Sequence, residues 1–187
     1  MDERGIIKLF AKLFAKHKIH YLLTGGFAVS YWGRPRATHD IDFLIEISPR
    51  NLPRLKDVFP LLGKDYAVNI QSQFNIIYLP LGLKLDFWIA KKTEFELNKF
   101  NRKITAKLFG ERIAIISPED LILTKLSWCR KVYSERHMGD CIGIWQIQRE
   151  KLDEKYLNKW ANELFVGNFL KAVKEKNLTP YPDIEKK

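Results

Sequence analysis

Asp40 and Asp42 stand one residue apart in Asp40-Ile41-Asp42-Phe43, a stretch that alternates acid with apolar. In an extended strand this alternation puts both carboxylates on one face and Ile41 and Phe43 on the other. Two carboxylates that close repel each other unless a cation lies between them. Magnesium favours carboxylate oxygens together with substrate phosphates, and the pair supplies the first of these. Upstream, Gly25-Gly26 follows a short apolar run and precedes a helical one. Glycines there let backbone N–H groups approach a phosphate, and the positive end of the helix adds to the attraction. In the run Leu83–Ile89, Leu83, Leu85, Phe87 and Ile89 share one face, while Lys84, Asp86 and Trp88 share the other. An acid inside a central strand is costly unless a charge pairs with it. If this strand lies beside 40–47, Asp86 completes a carboxylate triad that can ligate a metal or take a proton from an attacking hydroxyl. A plain ion pair with Lys84 is the alternative for Asp86, and stacking on a base is one role open to Trp88.

The elements that must position these residues follow from periodicity and turn chemistry. An amphipathic helix is predicted over 3–17 from Ile6, Leu9, Phe10, Leu13 and Phe14. Strands are predicted at 20–24, 40–47, 66–70, 74–79, 83–89 and 112–116, with a short helix over 27–32 and another over 49–62 that starts near Pro49. Residues 94–101 also read as helical. Ser117-Pro118-Glu119-Asp120 is a strong helix start, and its helix should run to about Tyr133. Helices over 137–149 and 153–166 come next, and the tail from Asn177, with Pro180 and Pro182, should fray or lie on the surface. The fold class is thus α+β: a mixed sheet flanked by helices over 1–116, then a helical part over 117–187 packed on it as one unit.

The 187 residues are 46% hydrophobic, which allows a real core. No apolar run has the length of a membrane span, and the amphipathic start does not resemble a signal peptide. A cytoplasmic protein with no membrane partner is expected. Cys129 and Cys141 are too few for a zinc site or a disulfide scaffold, and both sit in helical patterns as small buried hydrophobes. The tryptophans are expected mostly in the core. The net charge of +10 is spread along the chain without a basic tail. Such a diffuse field favours polyanions, or serves solubility alone. A dedicated RNA-binding protein without a nucleotide site is the least favoured reading, because no basic block is present.

The segment Gly25-Gly26 through Arg36, Thr38, Asp40 and Asp42 resembles the signature of the nucleotidyltransferase superfamily, the fold of DNA polymerase beta. More narrowly, the chain looks like the AbiEii branch, which includes MenT-like toxins. That branch carries Thr-x-Asp-x-Asp, matched by Thr38 to Asp42, then Lys-x-Asp, matched by Lys84-Leu85-Asp86. A helix bearing a lysine follows, matched by Asp120 with Lys125. An Asp-x-x-Asp helix is matched only in part, since Asp140 is followed by Gly143. The resemblance covers most of residues 20–165.

The resemblance implies a magnesium-dependent enzyme, with manganese as the alternative metal, that moves a nucleoside monophosphate from a nucleoside triphosphate to a hydroxyl acceptor. The acceptor would be tRNA, a protein or a small molecule, and an antitoxin would be the partner. Asp40, Asp42 and Asp86 would hold the metal and, with Lys125, form the catalytic set. Gly25, Gly26, Arg36, Thr38, Lys84 and Asp140 would bind the nucleotide. Lys125 has independent support. It follows Leu121 by four residues and precedes Trp128 by three, so it flanks an apolar stripe and needs an anion, unless its stem snorkels to solvent. The alternative function is a degenerate member of the same fold that binds a nucleotide or a partner without turnover.

Overall fold

The computed structural model describes residues 1–47, 54, 66–70 and 74–178. The helix expected over 49–62, apart from Arg54, and the tail beyond 178 lie outside the described residues. The chain divides into two compact units. One comprises 1–28 with 37–117, and the other 29–36 with 118–187.

Among the described residues, the first unit is built on seven strands: β1 (Tyr21–Thr24), β2 (Asp40–Ile45), β3 (Tyr66–Ile70), β4 (Phe74–Tyr78), β5 (Leu83–Ile89), β6 (Ile104–Leu108) and β7 (Glu111–Ile115). They form one mixed sheet in the order β3-β4-β5-β2-β1-β7-β6. β2 runs parallel to β5, and β1 parallel to β7; the other neighbours are antiparallel. Strand β6 escapes the sequence pattern because it is an edge strand in which Ala106 is the fully buried residue. It has too little apolar alternation to announce itself.

Helix α1 (Glu3–Lys16) starts at Asp2, whose carboxylate accepts a hydrogen bond from the Gly5 N–H at 2.8 Å. Its Phe10 and Phe14 are almost fully buried against Tyr21, Phe43 and Phe87 of the sheet, with ring centroids 5.1 to 6.1 Å apart. Phe43 and Phe87 stack at 5.6 Å across the β2–β5 pair. This aromatic layer covers one face of the central strands and stabilises them through large apolar area. The period of two then leaves Asp40, Asp42, Lys84, Asp86 and Trp88 together on the opposite face. Helix α2 (Gly25–Trp32) follows β1 directly, and α3 (Glu94–Asn101) is capped by the Thr93 hydroxyl, which accepts from the Glu96 N–H.

The second unit contains α4 (Pro118–Lys131), α5 (Glu135–Gln148), α6 (Glu154–Glu163) and α7 (Gly167–Lys174), with the end of α2 and residues 33–36. Two buried acids in the first turn of α4 tie it to the start of α6. The Glu119 carboxylate accepts from the Asp153 N–H at 2.9 Å, and Asp120 accepts from the Tyr156 hydroxyl at 2.7 Å. Helix α7 is not legible in the sequence: it is one short stretch after Gly167 with no side-chain cap. Trp145 and Trp160 are buried as expected, but Trp128 is 43% exposed. Cys129 and Cys141 are buried free thiols on α4 and α5. Among the described residues, no helix is long and apolar enough to cross a membrane.

Candidate functional site

The predicted site residues fall into two groups, one in each unit. In the first unit the strand register sets the geometry. Asp42 is the direct neighbour of Asp86 across the β2–β5 pair, and Asp40 is the neighbour of Lys84. The condition attached to Asp86 is met, since its strand does lie beside that of Asp40 and Asp42. The row continues on both sides, with Thr24 opposite Asp42 and Asn75 opposite Asp86. Thr24 and Asn75 are not legible as members of the row in the sequence. Their one signal is a polar residue within a strand, which carries no meaning until the register is known.

The turn after β1 is shaped to receive these acids. Gly25 has φ +61°, and a Cβ there would lie 1.8 Å from Asp42 Oδ2. A Cβ on Gly26 would lie 2.4 Å from Thr38 Oγ1. Both glycines are needed because the Asp42 carboxylate and the Thr38 side chain occupy the space a larger residue would take. The Thr38 hydroxyl donates to the Asp40 carbonyl at 3.3 Å, so it helps fix the entry into β2.

Each inner carboxylate has a donor. The Trp88 indole N–H donates to Asp42 Oδ1 at 3.3 Å. The Lys84 ammonium lies 2.8 Å from Asp86 Oδ1 and donates to Oδ2 at 2.9 Å. Its pKa is held above the ordinary lysine value, chiefly by the hydrogen bond to Asp86; the charges of Asp86, Asp40 and Asp42 also raise it, and partial burial opposes them. Asp40 is exposed, and Asp42 and Asp86 are half-buried. Among the described residues, no three His, Cys, Asp or Glu side chains converge as a preformed metal cage. The donor chemistry nonetheless fits a hard divalent cation: three carboxylates share one face, and a cation, the Lys84 ammonium, already sits on one of them.

The second unit holds Arg36, Lys125 and Asp140. Asp140, on α5, receives a two-pronged contact from Arg36, with Nε at 2.8 Å from Oδ1 and Nη2 at 3.0 Å from Oδ2. The Lys125 ammonium, from α4, lies 2.9 Å from the same Oδ2. Lys125 is only 7% exposed, so its stem does not snorkel; the anion it meets within the chain is Asp140. Burial pushes the Asp140 carboxyl up, but Arg36 and Lys125 outweigh it and hold the pKa below the ordinary value. His137, one turn before Asp140, is pushed below the ordinary histidine value by burial and by the Lys125 charge.

The segment leading to Arg36 lies along α5. Arg34 donates to Gln146 at 2.7 Å, and Gln148 donates to the Trp32 carbonyl at 2.8 Å. At Gly33 a Cβ would lie 2.9 Å from Ile144 Cγ1, so the close approach is made there. At Gly143 a Cβ would meet Arg34 at an ordinary 3.4 Å. Packing at that Cα therefore does not account for the glycine that departs from the Asp-x-x-Asp pattern.

The sequence matches the family described as nucleotidyl transferase AbiEii toxin of a type IV toxin–antitoxin system over residues 8–166. A comparison with curated proteins finds no match. Among solved structures, the antibiotic-resistance factor ANT(2'')-Ia in solution aligns with TM-score 0.60 at 14% identity, covering 94% of this chain and 98% of that one. An antigenic nucleotidyltransferase-like protein from Paracoccidioides brasiliensis aligns with TM-score 0.57 at 15% identity, over 93% and 92%. The lincosamide antibiotic adenylyltransferase LnuA, with lincomycin bound, aligns with TM-score 0.55 at 17% identity, over 79% and 98%. These likenesses show the shared nucleotidyltransferase fold. The family match spans most of the chain, and with it this protein belongs to the AbiEii nucleotidyl transferase toxin family and is a nucleotidyltransferase.

Proposed function

We propose that the protein moves a nucleoside monophosphate from a nucleoside triphosphate to an acceptor hydroxyl in a magnesium-dependent reaction, as the toxin of a toxin–antitoxin pair. The observation that carries this reading is the row formed by Asp42 and its cross-strand neighbour Asp86, with Asp40 and Lys84 one pair along on the same face. Asp40, Asp42 and Asp86 would hold the cation, Mg2+ or Mn2+, whose chemistry is to neutralise charge on the phosphates during in-line displacement. The chain's own part is positioning and proton handling. The backbone N–H groups of Gly25 and Gly26, which open α2, would meet the phosphates. Lys84 supplies a mobile point charge for the same anion. Where Asp86 does not ligate the cation, it would take the proton of the attacking hydroxyl as the new O–P bond forms and pyrophosphate leaves. In the second unit, Arg36 and Lys125 both meet Asp140 and would be the side chains there to turn to an arriving phosphate.

The test is calorimetric titration of the four nucleoside triphosphates, with and without magnesium, followed by transfer of labelled nucleotide into tRNA, protein and small hydroxyl acceptors. Magnesium-dependent binding and transfer that disappear in Asp42→Ala are expected. A variant that still transfers would overturn the assignment of the site. Binding without transfer to any acceptor would point to the degenerate, nucleotide-binding reading.

A further inference from the structure

Lys84 and Asp86 are two residues apart on β5 and point to the same side of the sheet. The bridge between them is therefore made within one strand and needs no other element to form. One ammonium engages both oxygens of that carboxylate, at 2.8 and 2.9 Å. Lys84 also stands opposite Asp40, and the charges of Asp40 and Asp42 act on it as well as that of Asp86. Asp86 is turned to Lys84, and Asp42 Oδ1 accepts from the Trp88 indole.

A divalent cation cannot take an oxygen of Asp86 while an ammonium holds both, because two cations at such distances repel strongly. The lysine is able to leave. Its side chain is 44% exposed and flexible, and a single charge on a long stem can be drawn to another anion.

We propose that Lys84 is a positioning residue for Asp86: its ammonium is the resident cation of the acid face, a divalent cation must displace it to reach Asp86, and an arriving polyphosphate draws it away. The proposal rests on the reading that Asp40, Asp42 and Asp86 hold a divalent cation. Its consequence is that the metal alone binds weakly and that nucleotide and metal strengthen each other's binding, since each removes what the other must displace. The lysine thus guards the acids against metal in the absence of substrate.

The experiment is Mn2+ binding to the full chain without nucleotide, followed by the electron paramagnetic resonance signal of the free ion. Wild type is compared with Lys84→Met, Asp86→Asn, the Lys84→Met/Asp86→Asn pair and Asp42→Asn. Lys91→Met removes an exposed lysine outside the acid face and controls for net charge. Lys84→Gln guards against poor folding of the methionine variant and must reproduce its result. Lys84→Met should bind Mn2+ on the order of tenfold more tightly than wild type. The gain should vanish in the Asp86→Asn background and be absent in Lys91→Met, because the competition is for Asp86 itself. If Lys84→Met binds Mn2+ no better than wild type while Asp42→Asn abolishes binding, the metal site stands and the role of Lys84 is overturned. If Asp42→Asn binds Mn2+ as wild type does, the metal reading itself fails and the proposal falls with it.

Discussion

Gly25 and Asp42 occupy the same space: a Cβ on the glycine would lie 1.8 Å from the aspartate's Oδ2. Gly25→Ala should therefore do two things. The φ of +61° costs an alanine about 1–3 kcal/mol. The added methyl also pushes the Asp42 carboxylate off its position, so Mn2+ affinity should fall by more than the stability change explains. Gly26→Ala separates the two effects. Its Cβ would press on Thr38 rather than Asp42, and its φ carries no such strain. Thermal melting and Mn2+ titration on both variants check this. Equal loss of Mn2+ binding in the two would mean that the Gly25–Asp42 contact has no special part.

Much of the acid face was legible because strand alternation fixes which side a residue takes, and an acid inside a strand demands a partner. Asp40, Asp42, Lys84 and Asp86 could each be assigned a face from the local pattern alone. The pairing of Asp42 with Asp86, and the addition of Thr24 and Asn75 to the row, depends on register between strands far apart in sequence, which no local pattern carries. Lys125 announced its need for an anion. The anion that meets it, Asp140, lies on another helix, and its second partner, Arg36, comes from a segment that belongs with the helical unit despite its early place in the chain. Trp128 shows the limit of composition: an aromatic next to the buried Cys129 is itself 43% exposed, and Arg130 and Lys131 beside it on the last turn of α4 are exposed as well.

Asp140 pairs with two cations from a buried position, 5% exposed, so its removal is costly. Asp140→Ala leaves Arg36 and Lys125 facing each other without their counter-charge, and should destabilise by about 3–5 kcal/mol. Arg36→Lys should be milder but not neutral, because an ammonium cannot reproduce the two-pronged contact. Urea unfolding of both variants gives the comparison. An Asp140→Ala loss no greater than that of Arg36→Lys would mean that the cluster is not the electrostatic centre of the second unit.

Acid should weaken the same cluster. His137 has its Nδ1 buried without a hydrogen-bond partner, and Lys125, Arg36 and Arg136 face it together with Asp140. Its folded pKa lies below the ordinary value of 6.5, so the unfolded chain binds the proton first as pH falls. Stability contributed here is complete above about 6.5 and is lost as pH drops toward the folded value. Asp140, whose folded pKa is also lowered, adds a second loss at more acidic pH, below its ordinary value of 3.8. The urea midpoint should fall between pH 7 and pH 5.5 in wild type and fall less in His137→Gln. A wild-type midpoint that does not change over that range would contradict this.

Trp88 ties the acid face to an optical signal. Its indole N–H donates to Asp42 Oδ1 at 3.3 Å, and its ring lies half-buried on the acid face opposite Leu44. Trp88→Phe keeps an aromatic ring on the half-buried face but removes the donor and part of the indole's packing, so folding stability should drop by about 1–3 kcal/mol. Asp42 then loses one of the donors that orient it, and Mn2+ affinity should weaken several-fold, since a donor to a metal-binding carboxylate helps to hold it in place. Trp88→His offers an N–H near the same place and should recover part of the affinity. In wild type, Mn2+ is paramagnetic and would quench the fluorescence of an indole this close to its ligands. The quench should be much reduced in Trp88→Phe, although the other four tryptophans remain. Full quenching in that variant, or unchanged affinity, would show that Trp88 packs on the face without holding Asp42.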